Sequence, residues 1–325
     1  MTFAIISDIH SNIEALDVVI KHILSQGIKE IYCLGDIIGY GANPKECCDA
    51  VKKYCSAGAI FGNHDAVIIQ NYLISAERNL TKRVLNYFRG KKKDEGKKYE
   101  IIEVDHPWVD RVLSFTEQKL SAKQKAYLAS LPMTFTKSDL LFTHQNPSAD
   151  AFNPGHSNTI YFKRSLSYIF DISEYFQEMP MMETRDGINF AFLNRPHEDQ
   201  TVFALDYNRQ NNANICFMGH THAASCFYKK AKDHTCNAVF VMYNLPEERS
   251  GKASFELKLK EGYNYIINPG SVGQPRDNDP RASCLIVETK KVIWHRIPYD
   301  VEKASKKIKD AKLPAYYADR LIKGI

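Results

Sequence analysis

The chain predicts an α/β fold in which two packed β-sheets are flanked by helices and interrupted by a helical insertion. Three observations lead there. The first sixty residues alternate short apolar runs with amphipathic stretches in the order β-α-β-α-β, which implies a parallel sheet with right-handed crossovers. From residue 224 onward apolar runs follow one another without long helices, which implies antiparallel pairing. Asp, Asn and His recur where apolar runs end, at 8–10, 36, 63–65, 144 and 220–222, and open α/β sheets bind ligands outside the carboxyl ends of their strands.

The elements follow in order. Residues 3–7 read as a strand. The stretch 12–25 carries Ile13, Leu16, Val19, Ile20 and Ile23 at helical spacing, with Asn12 as N-cap and Gly27 closing the helix. Residues 31–34 form the second strand, 44–54 a helix opening at Pro44, and 59–61 the third strand. The stretch 66–132 reads as mostly helical, at 84–88, 108–118 and 121–131, with Ser121 as N-cap and Pro132 as stop. It carries no metal-ligand motif and is expected to be a cap or lateral insertion. Residues 140–143 form a short strand ending at His144. A variable insertion, 146–212, is expected to shape the substrate site, with a helical pattern at 162–176, strand or loop at 187–192, and helix or extended chain at 202–207. Strands are expected at 224–228, 239–243, 254–259, 263–267, 283–288 and 292–297, and closing helices at 301–309 and 314–323. All of 1–325 is read as one domain.

Composition narrows the function. The chain has 325 residues, 44% of them hydrophobic, and a net charge of +5. This mild basic bias suits an anionic small substrate and shows no stripe for a nucleic-acid polymer. The runs Lys91-Lys92-Lys93 and Lys306-Lys307 read as solvated faces. Eight cysteines without C-x-x-C spacing read as reduced and structural. The opening apolar run is too short for a signal peptide, and no run approaches the ~20 residues of a membrane span. A cytoplasmic protein without a membrane partner is expected.

The polar motifs carry the chemistry. They are Asp8-Ile9-His10, Gly35-Asp36, Gly62-Asn63-His64-Asp65, His144 and Gly219-His220-Thr221-His222. Imidazole and carboxylate together bind divalent transition metals, and a bridging carboxylate can hold two ions ~3.5–4 Å apart. On an extended stretch alternate residues point to one side, so Asp8 with His10, and His220 with His222, are each expected to act together. Asp36 ends the neighbouring strand and is placed to bridge. Asn63 offers an amide oxygen and His144 a further imidazole.

In this order the motifs resemble the calcineurin-like metallophosphoesterases, whose blocks run D-x-H, G-D, G-N-H-[DE], H and G-H-x-H. The stretches Ser7-Asp8-Ile9-His10-Ser11-Asn12, Leu34-Gly35-Asp36-Ile37-Ile38-Gly39-Tyr40-Gly41 and Asn268-Pro269-Gly270-Ser271-Val272-Gly273-Gln274-Pro275-Arg276-Asp277 resemble the bacterial and archaeal branch of diadenosine-tetraphosphatase-related phosphoesterases. The resemblance covers residues 1–145 and 213–297. It implies the family's four-layer sandwich, one ion on Asp8, His10, Asp36 and His222, and a second on Asp36, Asn63, His144 and His220. Manganese is the first expectation, with iron, zinc or nickel as alternatives. The family usually has Gly after the lone histidine of the fourth block, where this chain has Gln145 after His144.

The expected reaction is in-line attack of a metal-bridging hydroxide on a phosphomonoester, a phosphodiester or a dinucleotide polyphosphate. Asp36 bridges the ions. His64 is the candidate general acid or charge stabiliser, with Asp65 orienting its imidazole. Arg276 is the candidate phosphate clamp, in a Gly- and Pro-rich loop whose amides are expected to form an anion nest. Asn12 and Tyr40 are candidates for the substrate rim. Two other readings are a non-catalytic binding module of the same fold and a nuclease-type phosphodiesterase. The intact ligand set and His64 weigh against the first, and the balanced charge against the second.

Overall fold

β1 (Phe3–Ile6) is buried at all four positions, the pattern of a strand covered on both faces rather than one alternating between core and water. It belongs to a computed structural model that describes residues 2–73, 107–145, 182–185, 188–195, 213–231, 236–240, 242–243 and 251–325. α1 (Ile13–Ser25) follows, its first turn capped by Asn12 accepting from the Ala15 N–H. β2 (Ile31–Cys33), α2 (Pro44–Tyr54) and β3 (Gly58–Ala59) complete a β-α-β-α-β unit with all three strands parallel. A third helix, α3 (residues 63–73), begins inside the Asn63-His64-Asp65 motif.

α4 (Pro107–Lys119) and α5 (Ala122–Ser130) come next, α5 opening with a Ser121–Gln124 capping box. Gln124 also donates to the Lys45 carbonyl and Asp49 on α2, and Leu120 and Leu128 join the core beneath α1 and α2. The described part of 66–132 therefore packs into the helical layer. The expected helices at 84–88 and 162–176, and the stretch 202–207 read as helix or extended chain, lie outside the described residues.

Among the described residues twelve further strands follow: β4 (Thr134–Lys137), β5 (Leu140–Thr143), β6 (Met182–Arg185), β7 (Ile188–Arg195), β8 (Ile215–Met218), β9 (Ala224–Lys230), β10 (Cys236–Phe240), β11 (Met242–Tyr243), β12 (Ala253–Lys258), β13 (Tyr263–Pro269), β14 (Ala282–Glu288) and β15 (Lys291–Ile297). α6 (Val301–Asp310) and α7 (Ala315–Lys323) close the chain. Among the described residues no helix is long and apolar enough to cross a membrane.

The strands form two mixed sheets, ordered β12-β15-β14-β1-β2-β3 and β11-β7-β10-β9-β13-β8-β5-β4, with β6 beside β7. Between them lies a core of Phe3, Ile5, Tyr32, Phe142, Phe217, Tyr265, Ile267, Leu285 and Trp294. Trp294 is fully buried and its indole N–H donates to the Asn268 carbonyl, so its polar edge is satisfied. The outer face of the first sheet is covered by α1 and α2 through Leu16, Val19, Ile23, Cys47 and Val51. The expected architecture of two packed sheets flanked by helices is what the chain adopts.

The strands from residue 224 onward pair antiparallel with one another, as expected, but not in sequence order. β13 inserts between β8, to which it is parallel, and β9, to which it is antiparallel, while β12 crosses to the edge of the first sheet. Burial gives the reason. β13 is buried at six of seven positions, as a central strand requires, whereas β12 alternates intermediate and exposed positions, as an edge strand does.

Candidate metal centre

The ligand-type residues sit just beyond the ends of β1, β2, β5 and β8 and at the start of α3. Their backbone is unusual. Asp8, His10, Ser11, Asp36, Tyr40, His220 and His222 all have positive φ, between 48° and 69°. Left-handed backbone at non-glycine residues costs on the order of 1 kcal/mol each and persists only where surroundings fix it. Here neighbouring loops do so: the Asp8 N–H donates to Gly35 O, His10 to Asp36 O, Ser11 to Ile37 O, and Gly219 to His144 O. The expectation that Asp8 and His10, or His220 and His222, converge by strand alternation is therefore corrected. Tight left-handed turns aim these side chains. Gly62 is needed for close approach, since a Cβ there would stand 2.1 Å from Asp36 Oδ1.

All seven predicted donors meet in one place. Asp8, His10, Asp36 and His222 offer one group of ligand atoms within 4.8 Å of one another, and Asp36, His144 and His220 a second. Asn63 Oδ1 joins the second group, 3.1 Å from His144 Nε2 and 2.9 Å from His220 Nδ1. Asp36 is common to both. Its Oδ1 accepts the His64 backbone N–H at 2.8 Å. Its Oδ2 is buried, accepts no well-formed hydrogen bond among the described residues, and lies 3.6 Å from His10 Nε2 and 3.4 Å from His144 Nε2.

The donor chemistry fits divalent cations. His10, His144 and His222 each donate Nδ1–H to a backbone carbonyl, of Ile38, Leu34 and Gln274 respectively. Such second hydrogen bonds fix the tautomer and ring orientation of metal-binding histidines. In neutral rings they leave Nε2 as a bare lone pair. Yet His10 Nε2 and His222 Nε2 face each other at 3.0 Å. Two lone pairs at that distance repel; two imidazoles each about 2.1 Å from one ion would sit so at roughly a right angle. Burial lowers the pKa of His10 and His222, and takes that of His220 to about 3, so these rings are in ligand form. His144 differs: burial would lower it, but the Asp36 carboxylate outweighs this and lifts it to about 9.

The remaining predicted residues divide. The His64 ring lies 4.9 Å from the His10 ring and 4.4 Å from that of Tyr40, at the edge of the centre, and burial lowers its pKa. Arg276 lies on the same rim, its Nη2 donating to the Tyr40 hydroxyl at 3.4 Å and to Gln274 Oε1 at 3.3 Å. Three expectations are corrected. Asp65 does not orient His64; its carboxylate accepts the backbone N–H groups of Ile37, Ile38 and Gly62. Consecutive residues at a helix start point in different directions, so Asp65 instead ties the Asp36 loop to α3. Asn12 is not a rim residue: it is buried, caps α1, and donates to Gly273 O and the Tyr299 hydroxyl. The loop after β13 is no anion nest, because the amides of Gly270, Val272, Gly273, Gln274 and Arg276 all donate within the protein.

That loop has another role which the sequence did not signal. Asn268 donates to Gly219 O and Thr221 Oγ1, the Ser271 hydroxyl donates to Asp8 O, and Gln274 O receives His222. It braces both histidine-bearing turns from behind. Tyr317 of α7 was likewise missed; its ring packs 4.7 Å from that of Tyr40.

Known proteins share this arrangement of strands. The chain is 31% identical over 327 residues to an uncharacterized protein of Methanocaldococcus jannaschii, MJ0912, covering 99% of this chain and 97% of that one. The crystal structure of a metallophosphoesterase from Sphaerobacter thermophilus is similar over 100% of both chains, with a TM-score of 0.61 and 25% identity. The hypothetical protein PH1004 of Pyrococcus horikoshii OT3 shares the fold over 100% of this chain and 98% of its own, with a TM-score of 0.57 and 17% identity. A buried Asp/His cluster of this kind suggests divalent-metal binding. The family match over residues 1–224, which hold every one of the converging donors, agrees: the chain belongs to the calcineurin-like phosphoesterase family.

Proposed function

We propose that this chain is a metal-dependent phosphoesterase with a dinuclear centre, acting on a small phosphorylated substrate. Asp8, His10, Asp36 and His222 hold one divalent ion; Asp36, Asn63, His144 and His220 hold the other. The observation that carries this reading is Asp36 Oδ2, a buried carboxylate oxygen without a well-formed hydrogen bond among the described residues, standing between two groups of metal donors. The nitrogen-rich donor set suits manganese, iron, zinc or nickel.

Divalent ions held there supply Lewis acidity toward the phosphoryl group and a nucleophile available near neutral pH. The chain's own groups do the rest. Arg276 presents its planar guanidinium to phosphoryl oxygens, with Tyr40 and Gln274 fixing its direction. His64 faces the departing oxygen. Burial keeps its pKa low in the free protein, and an anionic phosphoryl group beside it raises that pKa, favouring the charged form as negative charge develops. Asp65 holds the loop that carries Asp36 against the start of α3.

The test is hydrolysis of p-nitrophenyl phosphate and bis-p-nitrophenyl phosphate by chelator-stripped protein, before and after addition of Mn2+, with bound metal counted. Turnover restored at two ions per chain is expected, and the better ester separates monoesterase from diesterase. Turnover indifferent to chelation, or complete with one ion per chain, sinks the dinuclear reading.

A further inference from the structure

The rim of the metal centre turns on Tyr40. Its ring lies 4.5 Å from the His10 ring and 4.4 Å from that of His64, and its hydroxyl accepts from Arg276 Nη2 at 3.4 Å. Gly39, beside it, comes so close to His64 that a Cβ there would stand 2.7 Å from Nδ1. A metal donor, the candidate acid and the candidate clamp therefore meet one side chain. The Tyr40 backbone has a φ of 51°, a left-handed conformation that persists only where its surroundings fix it.

What backs Tyr40 comes from the other end of the chain. The buried Tyr317 of α7 packs its ring 4.7 Å from that of Tyr40 at a tilt of 44°, a separation at which aromatic rings attract. Tyr317, Ala318 and Leu321 pack with Val112 of α4 and with Ala304 and Ile308 of α6, and Tyr40 lies against this cluster. The end of α7 is pinned as well. Gly324 closes the helix with a φ of 70°, and its carbonyl accepts the Asn278 N–H at 2.8 Å. A Cβ on Gly324 would stand 2.6 Å from the Asp279 backbone, so only glycine allows this approach. Asn278 follows Arg276 by two residues. One helix thus touches both loops of the rim, the Tyr40 loop at Tyr317 and the Arg276 loop at Gly324.

We propose that Tyr317 is a positioning residue for anion binding: it holds Tyr40, and through Tyr40 it aims Arg276 at a phosphoryl group. The presence of a phosphoryl group there rests on the phosphoesterase reading; that its grip is set from α7 is the content of this inference. Tyr317 is buried behind Tyr40 and needs no contact with the substrate. Removing its ring leaves Tyr40 room to move, and a guanidinium whose partner moves must be ordered afresh each time an anion binds.

The probe is inorganic phosphate. Its binding to Mn2+-loaded protein is measured by equilibrium dialysis, with bound metal counted in the same samples. Tyr317→Ala is expected to weaken phosphate binding about fivefold to tenfold, the scale of a misdirected charge-assisted contact, while bound metal stays at the wild-type level. Tyr317→Phe keeps the ring and is expected to restore the affinity. In a Tyr40→Ala background Tyr317→Ala is expected to change the affinity less than about twofold, since the residue it acts through is gone. An unchanged affinity in Tyr317→Ala, or an equal loss with Tyr40 already removed, overturns the inference. Loss of metal in Tyr317→Ala overturns it too, because α7 would then support the whole centre rather than its rim. If Tyr317→Ala fails to fold, Tyr317→Leu, which keeps a buried apolar side chain without the ring, is judged by the same criteria. Hydrolysis of p-nitrophenyl phosphate by wild type is scored separately. Phosphate binding that depends on Tyr317 without hydrolysis leaves the inference standing and counts against the phosphoesterase reading, whereas hydrolysis with an affinity indifferent to Tyr317 counts against the inference alone.

Discussion

Two buried polar clusters lie close together in this protein and behave differently. Behind the centre, Asp277, Asp279, Arg281 and Arg296 are each at most 2% exposed. Arg281 grips Asp279 through Nε and Nη2 at 2.8–3.2 Å, and Arg296 Nη2 pairs with Asp277. Two carboxylates meet two guanidinium groups, and the charges cancel. In the centre itself Asp8 and Asp36 meet four imidazoles, three of which burial keeps neutral. Negative charge is left over, and only His144, lifted to about 9, answers it with a proton. Buried charge therefore marks scaffold when its opposite charges are complete and a binding site when they are not.

Breaking the incomplete cluster has the largest effect on activity. Asp36→Asn removes the shared carboxylate charge and is expected to lower Mn2+-dependent turnover about 10³-fold or more, with bound metal falling below two ions per chain by elemental analysis. Full activity in this variant would end the comparison. The complete cluster responds in stability instead. Arg296→Met strands Asp277 in the interior and is expected to cost about 3–5 kcal/mol in denaturant unfolding. Adding Asp277→Leu should recover more than half of it; a double variant as weak as the single one would mean the pair is more than a matched charge couple.

His64 sharpens the contrast, because it touches the centre without belonging to either donor group. His64→Ala is expected to reduce kcat about 10²-fold while both ions are retained; loss of metal would make it structural. The smallest effect concerns a third pair, His22 and His295, whose rings lie 4.7 Å apart. Burial, then His22 and Lys252, takes His295 down to about 4. Between the ordinary histidine value of about 6.5 and that value the unfolded chain holds more protons than the folded one, so stability falls as pH drops through this window. The expected loss, discounted for partial exposure, is on the order of 1–2 kcal/mol. It should vanish in His295→Gln; an unchanged acid profile there would assign the loss elsewhere.

Much of this was legible before any coordinates. The β-α-β-α-β unit was readable because its helices show 3.6-residue apolar spacing and have clear openings, the Asn12 cap of α1 and Pro44 of α2. The donors were readable because metal chemistry accepts few residue types. The second sheet was not readable in order, since register and crossover depend on which faces are covered, a fact of packing rather than of any single strand. Side-chain direction was also hidden. Nothing local says that Asp8 and His222 adopt left-handed backbone, or that Asp65 turns away from His64 toward three amides. Tyr317 lies far beyond the last histidine motif in sequence, and only the folding of α7 against Tyr40 brings it to the site.

One feature of the topology bears on how the protein is made. β1 pairs on one side with β2, close in sequence, and on the other with β14, in the register Phe3↔Val287. His10 likewise meets His222 across 212 residues. A ribosome delivers the N-terminal residues first and the others much later. During that interval Asp8, His10 and Asp36 are already synthesised, but neither of the two proposed donor sets is complete. On the proposed ligand sets, firm retention of metal requires translation to have passed residue 222, and the finished first sheet requires it to have passed 297. Metal capture is then a late step in the biography of each molecule, one that a prematurely terminated chain never reaches.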